Sequence, residues 1–403
     1  MQRRHLLQTA TALPFALNAG QLFAAPAAPN TATPRLLFVF LRGAYDAANL
    51  LVPTSSDFYY ASRPEIAIPR PGTDLNTAIA LNADWGLHPA LRDTVYPLFQ
   101  KGEASFIPFA GTDDVSRSHF ETQDSIELGQ PLNGPKNFRS GFLNRLSNVV
   151  NGAAPMAFTD SLPLSMQGSM QVPNTGLKSV AKPAVDPRQT AIIAAMYQGT
   201  RLASPVSDGF AVRDEVTREL SGEMLAASRG AISAKGFELE AQRIARLMKE
   251  RYNIGFVDVG GWDTHVNQGG ATGYLASRLD ELGRGLAAFA QEMGPAWRNT
   301  TVVVASEFGR TFRQNGNRGT DHGHGSVYWV LGGGLRSGPN AGGQIAGEQV
   351  RVEQATLFQN RDYPVLNEYR AVLAGLFARQ FGLNSKQLDQ VFAGVKTKDI
   401  GLV

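Results

Sequence analysis

Four histidines in this sequence lie where imidazole groups could bind a metal ion. Among the six histidines of the chain, His119, His265, His322 and His324 occur in polar segments that contain glycine. Glycines around His322 and His324 let the backbone turn tightly, so both rings could face one ion. The sequence has no cysteine, so thiolate ligands are excluded, and imidazole with carboxylate suits Zn, Mn or Fe. We therefore predict a divalent metal site and leave open whether it holds one ion or two.

Carboxylates occupy similar positions in the sequence. Asp46, Asp263 and Glu307 each come shortly after an apolar run of strand length, and His119 follows another such run. In open parallel sheets, ligands bind beyond the carboxyl ends of the strands. The predicted metal ligands are therefore Asp46, His119, Asp263, His265, Glu307, His322 and His324.

Each of these residues also has a purely structural interpretation. Asp263 could cap the loop before the next helix, and Glu307 could form a salt bridge with Arg310. His322 and His324 could be exposed loop residues. The occurrence of all these groups together, rather than any single motif, favours the metal site.

Apolar runs and amphipathic segments predict the elements that would position these groups. Continuous apolar runs fit strands buried on both faces of a parallel sheet, and they span 36–41, 104–109, 254–259, 301–305 and 326–331. Apolar residues at three- and four-residue spacing predict helices over 187–201, 212–229, 234–252, 274–293, 366–381 and 385–391. This alternation predicts an α/β fold with a mostly parallel central sheet and helices on both faces.

Residues 1–28 are predicted to be a signal peptide ahead of a single domain over 29–403. Arg3 and Arg4 precede a weakly apolar stretch that ends in small residues. Paired arginines are typical of a twin-arginine signal, which predicts export by the Tat translocase to the bacterial periplasm or the medium. An ordinary Sec leader is the alternative. Segment 131–187 is rich in Gly, Asn, Ser and Pro and is predicted to be a loop-rich insertion.

The composition argues against two kinds of partner. Without Arg3 and Arg4, the formal net charge falls from +3 to +1. No run of Lys or Arg occurs, so no nucleic-acid partner is expected. No stretch after residue 28 reaches about 18 consecutive apolar residues, so no transmembrane anchor is expected.

Six motifs, in this order, resemble the exported proteins of domain-of-unknown-function family 1501. The resemblance spans about residues 35–392. The motifs are Leu41-Arg42-Gly43-x-x-Asp46, Gly86-Leu87-His88-Pro89, Arg117-Ser118-His119-Phe120, Gly261-Trp262-Asp263-Thr264-His265, Ser306-Glu307-Phe308-Gly309-Arg310-Thr311 and Gly319-Thr320-Asp321-His322-Gly323-His324-Gly325. That family is similar to the alkaline phosphatase, sulfatase and cofactor-independent phosphoglycerate mutase superfamily, which implies an alkaline-phosphatase-like fold.

The resemblance also implies roles for individual residues. By position, Asp46 resembles the first metal ligand and Ser118 the hydroxyl nucleophile. Asp263 with His265 resembles the central ligand pair, although the superfamily usually separates these two residues by four positions. A histidine of the last motif, His322 or His324, resembles the late ligand.

A second departure from the superfamily pattern lies at Glu307-Phe308. The superfamily has an Asp-His pair there, so one imidazole ligand is missing from this position. We expect His119 or His324 to replace it.

Two polar residues of these motifs also have local structural explanations. Ser118 could be the N-cap of a helix over 119–128. His88, which precedes Pro89, is interpreted as the start of a helix with local hydrogen bonds.

The resemblance implies metal-dependent hydrolysis of a phosphate or sulfate ester. Ser118 would attack the ester in line and form a covalent intermediate, and Arg117 and Arg310 would bind the anion bidentately. The alternative is a non-catalytic member that binds an anionic glycan or a partner protein. A third possibility is an exported structural protein with solvated, empty loops.

Overall fold

The computed structural model describes residues 33–177, 187–219, 236–336 and 343–403. The predicted signal peptide lies outside these residues, and so does the end of the predicted helix over 212–229. The strands are β1 (Arg35–Leu41), β2 (Leu51–Pro53), β3 (Ile79–Ala80), β4 (Trp85–Leu87), β5 (Ala104–Gly111), β6 (Pro155–Ala157), β7 (Ile254–Val259), β8 (Thr300–Ser306), β9 (Ser326–Leu331) and β10 (Asn367–Glu368).

Eleven α-helices occur among the described residues. They are α1 (Ala47–Leu50), α2 (Asp57–Ser62), α3 (Val95–Gln100), α4 (His119–Leu128), α5 (Phe142–Val149), α6 (Pro187–Tyr197), α7 (Ala203–Glu219), α8 (Gly236–Glu250), α9 (Tyr274–Met293), α10 (Tyr369–Phe381) and α11 (Ser385–Val391). Short 3₁₀ turns cover Pro89–Leu91, Leu164–Met166, Gly294–Asn299 and Gln354–Thr356.

A seven-stranded sheet with the order β10-β5-β9-β8-β1-β7-β6 forms the centre of the molecule. β1 pairs in parallel with both β7 and β8, and β6 pairs in parallel with β7. β9 is antiparallel to its neighbours β5 and β8, so it alone among the seven strands opposes the common direction. The prediction of a mostly parallel sheet is confirmed. A separate three-stranded antiparallel sheet has the order β2-β4-β3.

Helices cover both faces of the central sheet, as the sequence predicts. Every residue of β1 is buried, because its side chains alternate between the two faces. Leu37, Val39 and Leu41 belong to a core that includes apolar residues of α8 and α9. Leu36, Phe38 and Phe40 belong to a second core that includes α5, α10 and α11. Residues 36–41 are accordingly all apolar, as expected of a strand buried on both faces, while the guanidinium of the buried Arg35 donates to the backbone oxygen of Met248.

Segment 131–187, predicted to be a loop-rich insertion, contributes to this sheet where the structure describes it. Its strand β6 is the edge strand beside β7, and its helix α5 buries Phe142, Leu143 and Leu146. Residues 178–186 lie outside the described residues. Among the described residues, no helix is both long and apolar enough to cross a membrane.

The strand directions bring several loops to one edge of the sheet. β1, β5, β7 and β8 all end at this edge, whereas β9 begins there because it runs the opposite way. The loops that follow β1, β5, β7 and β8 therefore meet the loop that precedes β9. These loops carry the residues that the sequence predicts to be functional.

Candidate metal centre

Three imidazole rings from three different loops face one another at this edge. The Nε2 atom of His322 lies 2.9 Å from Nε2 of His119 and 3.1 Å from Nε2 of His265. His119 is the first residue of α4, His265 follows β7, and His322 precedes β9. His119 and His265 are 146 residues apart in the sequence, His265 and His322 are 57 apart, and His119 and His322 are 203 apart. The sheet therefore brings together histidines that are distant in the chain.

The far side of each ring is hydrogen-bonded to a group that can only accept. Nδ1 of His119 lies 2.7 Å from Glu307 Oε1, and Nδ1 of His265 lies 3.2 Å from Asp321 Oδ1. Nδ1 of His322 lies 3.0 Å from the backbone carbonyl oxygen of Arg117. Each Nδ1 must therefore carry the proton and donate it. In the neutral imidazole this leaves a lone pair on Nε2.

Three Nε2 lone pairs that face one another repel unless a cation lies between them. Imidazole ligands of metals commonly donate the other ring N–H to a carboxylate or a backbone carbonyl, which fixes the tautomer and the ring orientation. All three histidines have this arrangement. The donor set therefore fits a divalent transition metal, and the residues that would hold it include His119, His265 and His322.

Asp263 adds a carboxylate to the three imidazoles. Its Oδ1 lies 2.9 Å from His265 Nε2 and 3.5 Å from His322 Nε2, and its Oδ2 lies 3.6 Å from His119 Nε2. The ligand atoms of His119, Asp263 and His322 all lie within 4.8 Å of one another. Three imidazoles and one carboxylate form a donor set typical of Zn, Mn or Fe.

Arg310 holds Asp263 in place. Its Nη1 donates to Asp263 Oδ1 at 2.7 Å, while its Nη2 and Nε donate to the backbone oxygen and the hydroxyl of Thr320. Burial acts to raise the pKa of Asp263, but the hydrogen bond and charge of Arg310 outweigh it, so the pKa is lowered. Asp263 is therefore ionised and oriented. The Arg310 side chain is fully buried, and its hydrogen bonds go to Asp263 and Thr320.

Glu307 accepts a hydrogen bond from the Nδ1 atom of His119, on the side of the ring that faces away from the other histidines. This buried carboxylate accepts hydrogen bonds at Oε1 from His119, from the backbone N–H of Gly43 and from Gln123 Nε2, each at 2.7 or 2.8 Å. The Ser306 hydroxyl donates to Oε2 at 2.7 Å. Burial acts to raise the pKa of Glu307, but these hydrogen bonds lower it overall. The carboxylate is therefore charged and raises the basicity of His119.

The pKa values of two facing imidazoles move in opposite directions. The hydrogen bond with Glu307 raises the pKa of His119. Burial, together with the positive charge of a protonated His119, lowers the pKa of His322. One proton on His119 could therefore satisfy the lone pair of His322, but the lone pair of His265 would still lack a donor. A metal ion satisfies all three.

Glycines allow the loops to approach closely at two points. Gly43 has a φ of +119°, and a Cβ atom there would lie 2.8 Å from the backbone nitrogen of Asp263. A Cβ atom on Gly323 would lie 2.4 Å from the backbone carbonyl carbon of Arg310. Any larger residue at either position would push the ligand-bearing loops apart.

The structure uses Asp46 differently from the predicted ligand role. This buried residue is the N-cap of α1, and its carboxylate pairs with the buried guanidinium of Arg63. Gln268 Nε2 also donates to Asp46 Oδ2 at 2.6 Å, and Gln268 Oε1 accepts from the hydroxyls of Thr264 and Thr320. Asp46 therefore lies at the base of the loops that carry Asp263 and His322, outside the histidine cluster.

The residues predicted to bind and attack an ester have other contacts here. Ser118 is the N-cap of α4, and its hydroxyl accepts from the backbone N–H of Glu121 at 3.5 Å. Arg117 forms a salt bridge with the buried carboxylate of Asp362 at 2.7 Å. The local structural interpretation of Ser118 thus agrees with the structure, although its hydroxyl proton remains free to donate.

Two further histidines of the described residues, His324 and His88, lie outside the cluster. The ring of His324 is buried and packs against Phe358, with ring centroids 4.7 Å apart, and burial lowers its pKa. His88 is the N-cap of a 3₁₀ turn, as its local interpretation predicts. Of the two histidines expected to replace the imidazole missing from the Glu307-Phe308 motif, His119 lies in the cluster and His324 lies outside it.

Sequence reasoning did not identify the residues that orient the side chains of the cluster. Asp321 accepts from His265, and Gln123 donates to Glu307. Arg42 in turn donates to Gln123 Oε1 at 2.8 Å and fixes the direction of that amide. Asp321 directly precedes His322 in the motif that also contains His324. Gln123 lies one helical turn after His119 on α4, and this spacing could have indicated that the two side chains share a face of the helix.

The protein is an α/β protein with a histidine–carboxylate cluster at the carboxyl edge of its mostly parallel sheet. The chain belongs to the family described as Protein of unknown function (DUF1501), whose profile matches residues 33–392. The predicted family membership is confirmed. A search of curated protein sequences found no significant match.

Several solved structures share a distant similarity with the chain. Ps i-CgsB in complex with k-i-k-neocarrahexaose is 10% identical, with a TM-score of 0.39, covering 92% of this chain and 75% of the other. A 2-O GAG sulfatase is 10% identical, with a TM-score of 0.38, covering 91% and 75%. The PsFucS1 sulfatase from Pseudoalteromonas sp. is 12% identical, with a TM-score of 0.31, covering 82% and 66%. At these scores the similarity carries no argument about activity.

Proposed function

We propose that this protein is an exported, metal-dependent hydrolase of phosphate or sulfate esters. The observation that carries the proposal is the convergence of three Nε2 lone pairs with the Asp263 carboxylate. His119, Asp263, His265 and His322 would hold the ion. The ester class follows from the resemblance of the motifs, and export follows from the pattern of residues 1–28.

The cluster is open enough for a substrate to reach it. The side chains of His119 and His322 are 21% and 28% exposed, and those of His265 and Asp263 are 40% and 44% exposed. A divalent ion bound there would supply Lewis-acid stabilisation of the negative charge on the ester oxygens. The backbone places Ser118 directly before His119, and its hydroxyl is the nucleophile of this proposal.

In this proposal Ser118 attacks the phosphorus or sulfur atom of the ester. A Ser118 ester forms as the alcohol departs, and water then cleaves that ester to restore the hydroxyl and release the inorganic anion. Arg310 contributes indirectly, because it orients Asp263. Arg117 contributes through its backbone carbonyl, which accepts from His322.

A second function, metal-dependent binding of an anionic glycan or partner protein without turnover, is favoured by one observation. Arg117 and Arg310, which the sequence predicts to bind the anion, are both paired with carboxylates of the protein. Their charges are therefore already neutralised within the protein, so neither guanidinium is placed to stabilise the group that a hydrolase transfers. A binder needs the metal but not the nucleophile.

Metal analysis of the purified, natively exported protein tests the shared basis of both functions. We expect about one Zn, Mn or Fe ion per chain, because one set of converging ligands occurs among the described residues. Protein that contains no metal after loading with each of the three ions would contradict both functions.

A panel of phosphate and sulfate esters then separates the hydrolase from the binder. We expect Ser118→Ala and Ser118→Asn both to abolish turnover with metal content unchanged. Asn retains the N-cap interaction, whereas Ala costs about 1 kcal/mol of helix stability. If Asn restores whatever Ala loses, Ser118 acts only as a cap and the nucleophile assignment is wrong.

A further inference from the structure

One buried carboxylate from a distant loop contacts both groups that hold His322. Asp362 is fully buried, and its Oδ2 accepts from Arg117 Nη2 at 2.7 Å and from Arg117 Nε at 3.0 Å. Arg361 Nη1 donates to the same carboxylate at 3.0 and 3.2 Å. We name this group of three side chains, Asp362, Arg117 and Arg361, the Asp362 clamp.

Each arginine of the Asp362 clamp reaches His322 by a different route. The backbone carbonyl of Arg117 accepts from His322 Nδ1 at 3.0 Å. The Nη2 atom of Arg361 donates to the backbone oxygen of His322 at 2.8 Å. The ring and the backbone of His322 are therefore both held by residues that Asp362 neutralises and orients.

The backbone of Arg117 has a conformation that is unfavourable for its residue type. Its φ is +53°, in the left-handed region that residues other than glycine, asparagine and aspartate seldom adopt. The side chain of Arg117 is fixed by Asp362 and also by Gln359 Oε1, which accepts from Nη2 at 2.7 Å. These contacts hold the carbonyl of Arg117 toward His322.

The loop that carries Asp362 is itself fixed to the loops of the cluster. The backbone N–H of Phe312 donates to the carbonyl oxygen of Arg361 at 2.9 Å, and that of Gly325 donates to the carbonyl oxygen of Tyr363 at 2.8 Å. Asp362 therefore occupies a defined position relative to both sides of the loop that bears His322.

We infer that Asp362 is a positioning residue for the metal centre. By holding the Arg117 carbonyl against Nδ1, it keeps the proton of His322 on Nδ1 and leaves the Nε2 lone pair directed at the ion. The inference rests on the proposed metal site for its function. The tautomer of His322 can nevertheless be measured without any metal.

Asp362→Asn tests this role, with Asp280→Asn as the matched control. Asp280 is a surface carboxylate paired with Arg284. In metal-free protein, ¹⁵N NMR of the imidazole nitrogens, assigned with His322→Gln, reports the tautomer of His322. We expect the wild type and Asp280→Asn to carry the proton on Nδ1, and Asp362→Asn to show a mixture of tautomers.

Zinc affinity, measured by competition with a chelating dye, is the second readout. We expect Asp362→Asn to bind zinc about 10- to 100-fold more weakly, the usual effect of removing a group that orients a ligand. A folded Asp362→Asn protein with the wild-type tautomer and the wild-type zinc affinity would overturn the inference. If the wild type binds no zinc, the proposed function fails while the tautomer measurement still decides the inference.

Arg117→Ala and Arg117→Gly keep the inference testable if Asp362→Asn does not fold. Both remove the guanidinium, but glycine adopts a positive φ without strain. We expect Arg117→Ala to weaken zinc binding about tenfold and Arg117→Gly to weaken it less. Equal losses in the two variants, or no loss in either, would overturn a role that acts through the backbone carbonyl.

Discussion

The imidazole of His88 and the imidazoles of His119, His265 and His322 differ in the hydrogen-bond partners of their ring nitrogens. In His88, Nδ1 accepts from the backbone N–H of Ala90 at 3.1 Å, and Nε2 lies 3.1 Å from the carbonyl oxygen of Gly270. One nitrogen accepts and the other donates, so the neutral ring is fully satisfied. In the cluster, every Nδ1 donates and every Nε2 faces another lone pair.

The difference shows that burial by itself does not distinguish a ligand from a structural histidine. His88 is fully buried, whereas the cluster is partly exposed. The distinguishing feature is the direction of the hydrogen bonds at both ring nitrogens. A ring with a donor and an acceptor partner has no free lone pair for an ion, while three rings whose Nε2 atoms face one another offer their lone pairs to a shared cation.

The largest expected effect is a loss of metal binding that differs between two histidines of the same motif, His322 and His324. His322→Gln should weaken metal binding by more than about 100-fold, because loss of an orienting group alone costs 10- to 100-fold. His324→Gln, two residues away and outside the cluster, should leave the metal content unchanged. Metal analysis after equilibrium dialysis measures both. Equal metal content in the two variants would mean that the cluster does not bind the ion.

The next effect concerns the pH dependence of stability. Burial lowers the pKa of His88 from 6.5 to about 4. Between these values the unfolded state binds more protons than the folded state, so the free energy of unfolding falls as the pH falls. The contribution of His88 is complete above pH 6.5 and declines by roughly 3 kcal/mol on acidification to about pH 4.

Urea unfolding of the wild type and His88→Asn from pH 7 to pH 4.5, with chelator present, measures this contribution. Asparagine can still accept from Ala90 but does not titrate, so the variant should lose less stability on acidification. Parallel pH profiles for the two proteins would show that His88 is not the titrating group.

The smallest effect concerns the carboxylate behind His119. Glu307→Gln keeps the shape of the side chain but removes the charge that raises the basicity of the ring. We expect zinc affinity to fall about tenfold, while Glu292→Gln, which removes a surface partner of Lys249, leaves the affinity unchanged. An unchanged affinity in Glu307→Gln would mean that its hydrogen bond to His119 has no effect on the site.

Much of the fold could be predicted from the sequence, because apolar runs and helical periodicity are local signals. All five predicted strands occur, and the helix over 274–293 has the predicted bounds. Short strands were expected within 131–187, but the position of the edge strand β6 was not predicted, because only three residues, Pro155–Ala157, form it. A run that short is not distinguishable from a loop by its pattern.

The candidate site was predicted in part. His119, Asp263, His265 and His322 converge as the sequence predicts, and Glu307 lies directly behind them. Asp46 was predicted to be a ligand because it follows β1, but a carboxylate in that position pairs with Arg63, which lies 17 residues further along the chain. Sequence reasoning had no means of pairing these two residues.

The sequence by itself determined the chemical inventory of this protein. Without cysteine, and with histidines and carboxylates placed just after apolar strands, any metal site had to use imidazole and carboxylate at the edge of the sheet. Only the tertiary structure decided which of these groups point inward. That choice depends on hydrogen bonds such as those from Arg310 to Asp263 and from His322 to Arg117, which join residues far apart in the chain and leave no local pattern.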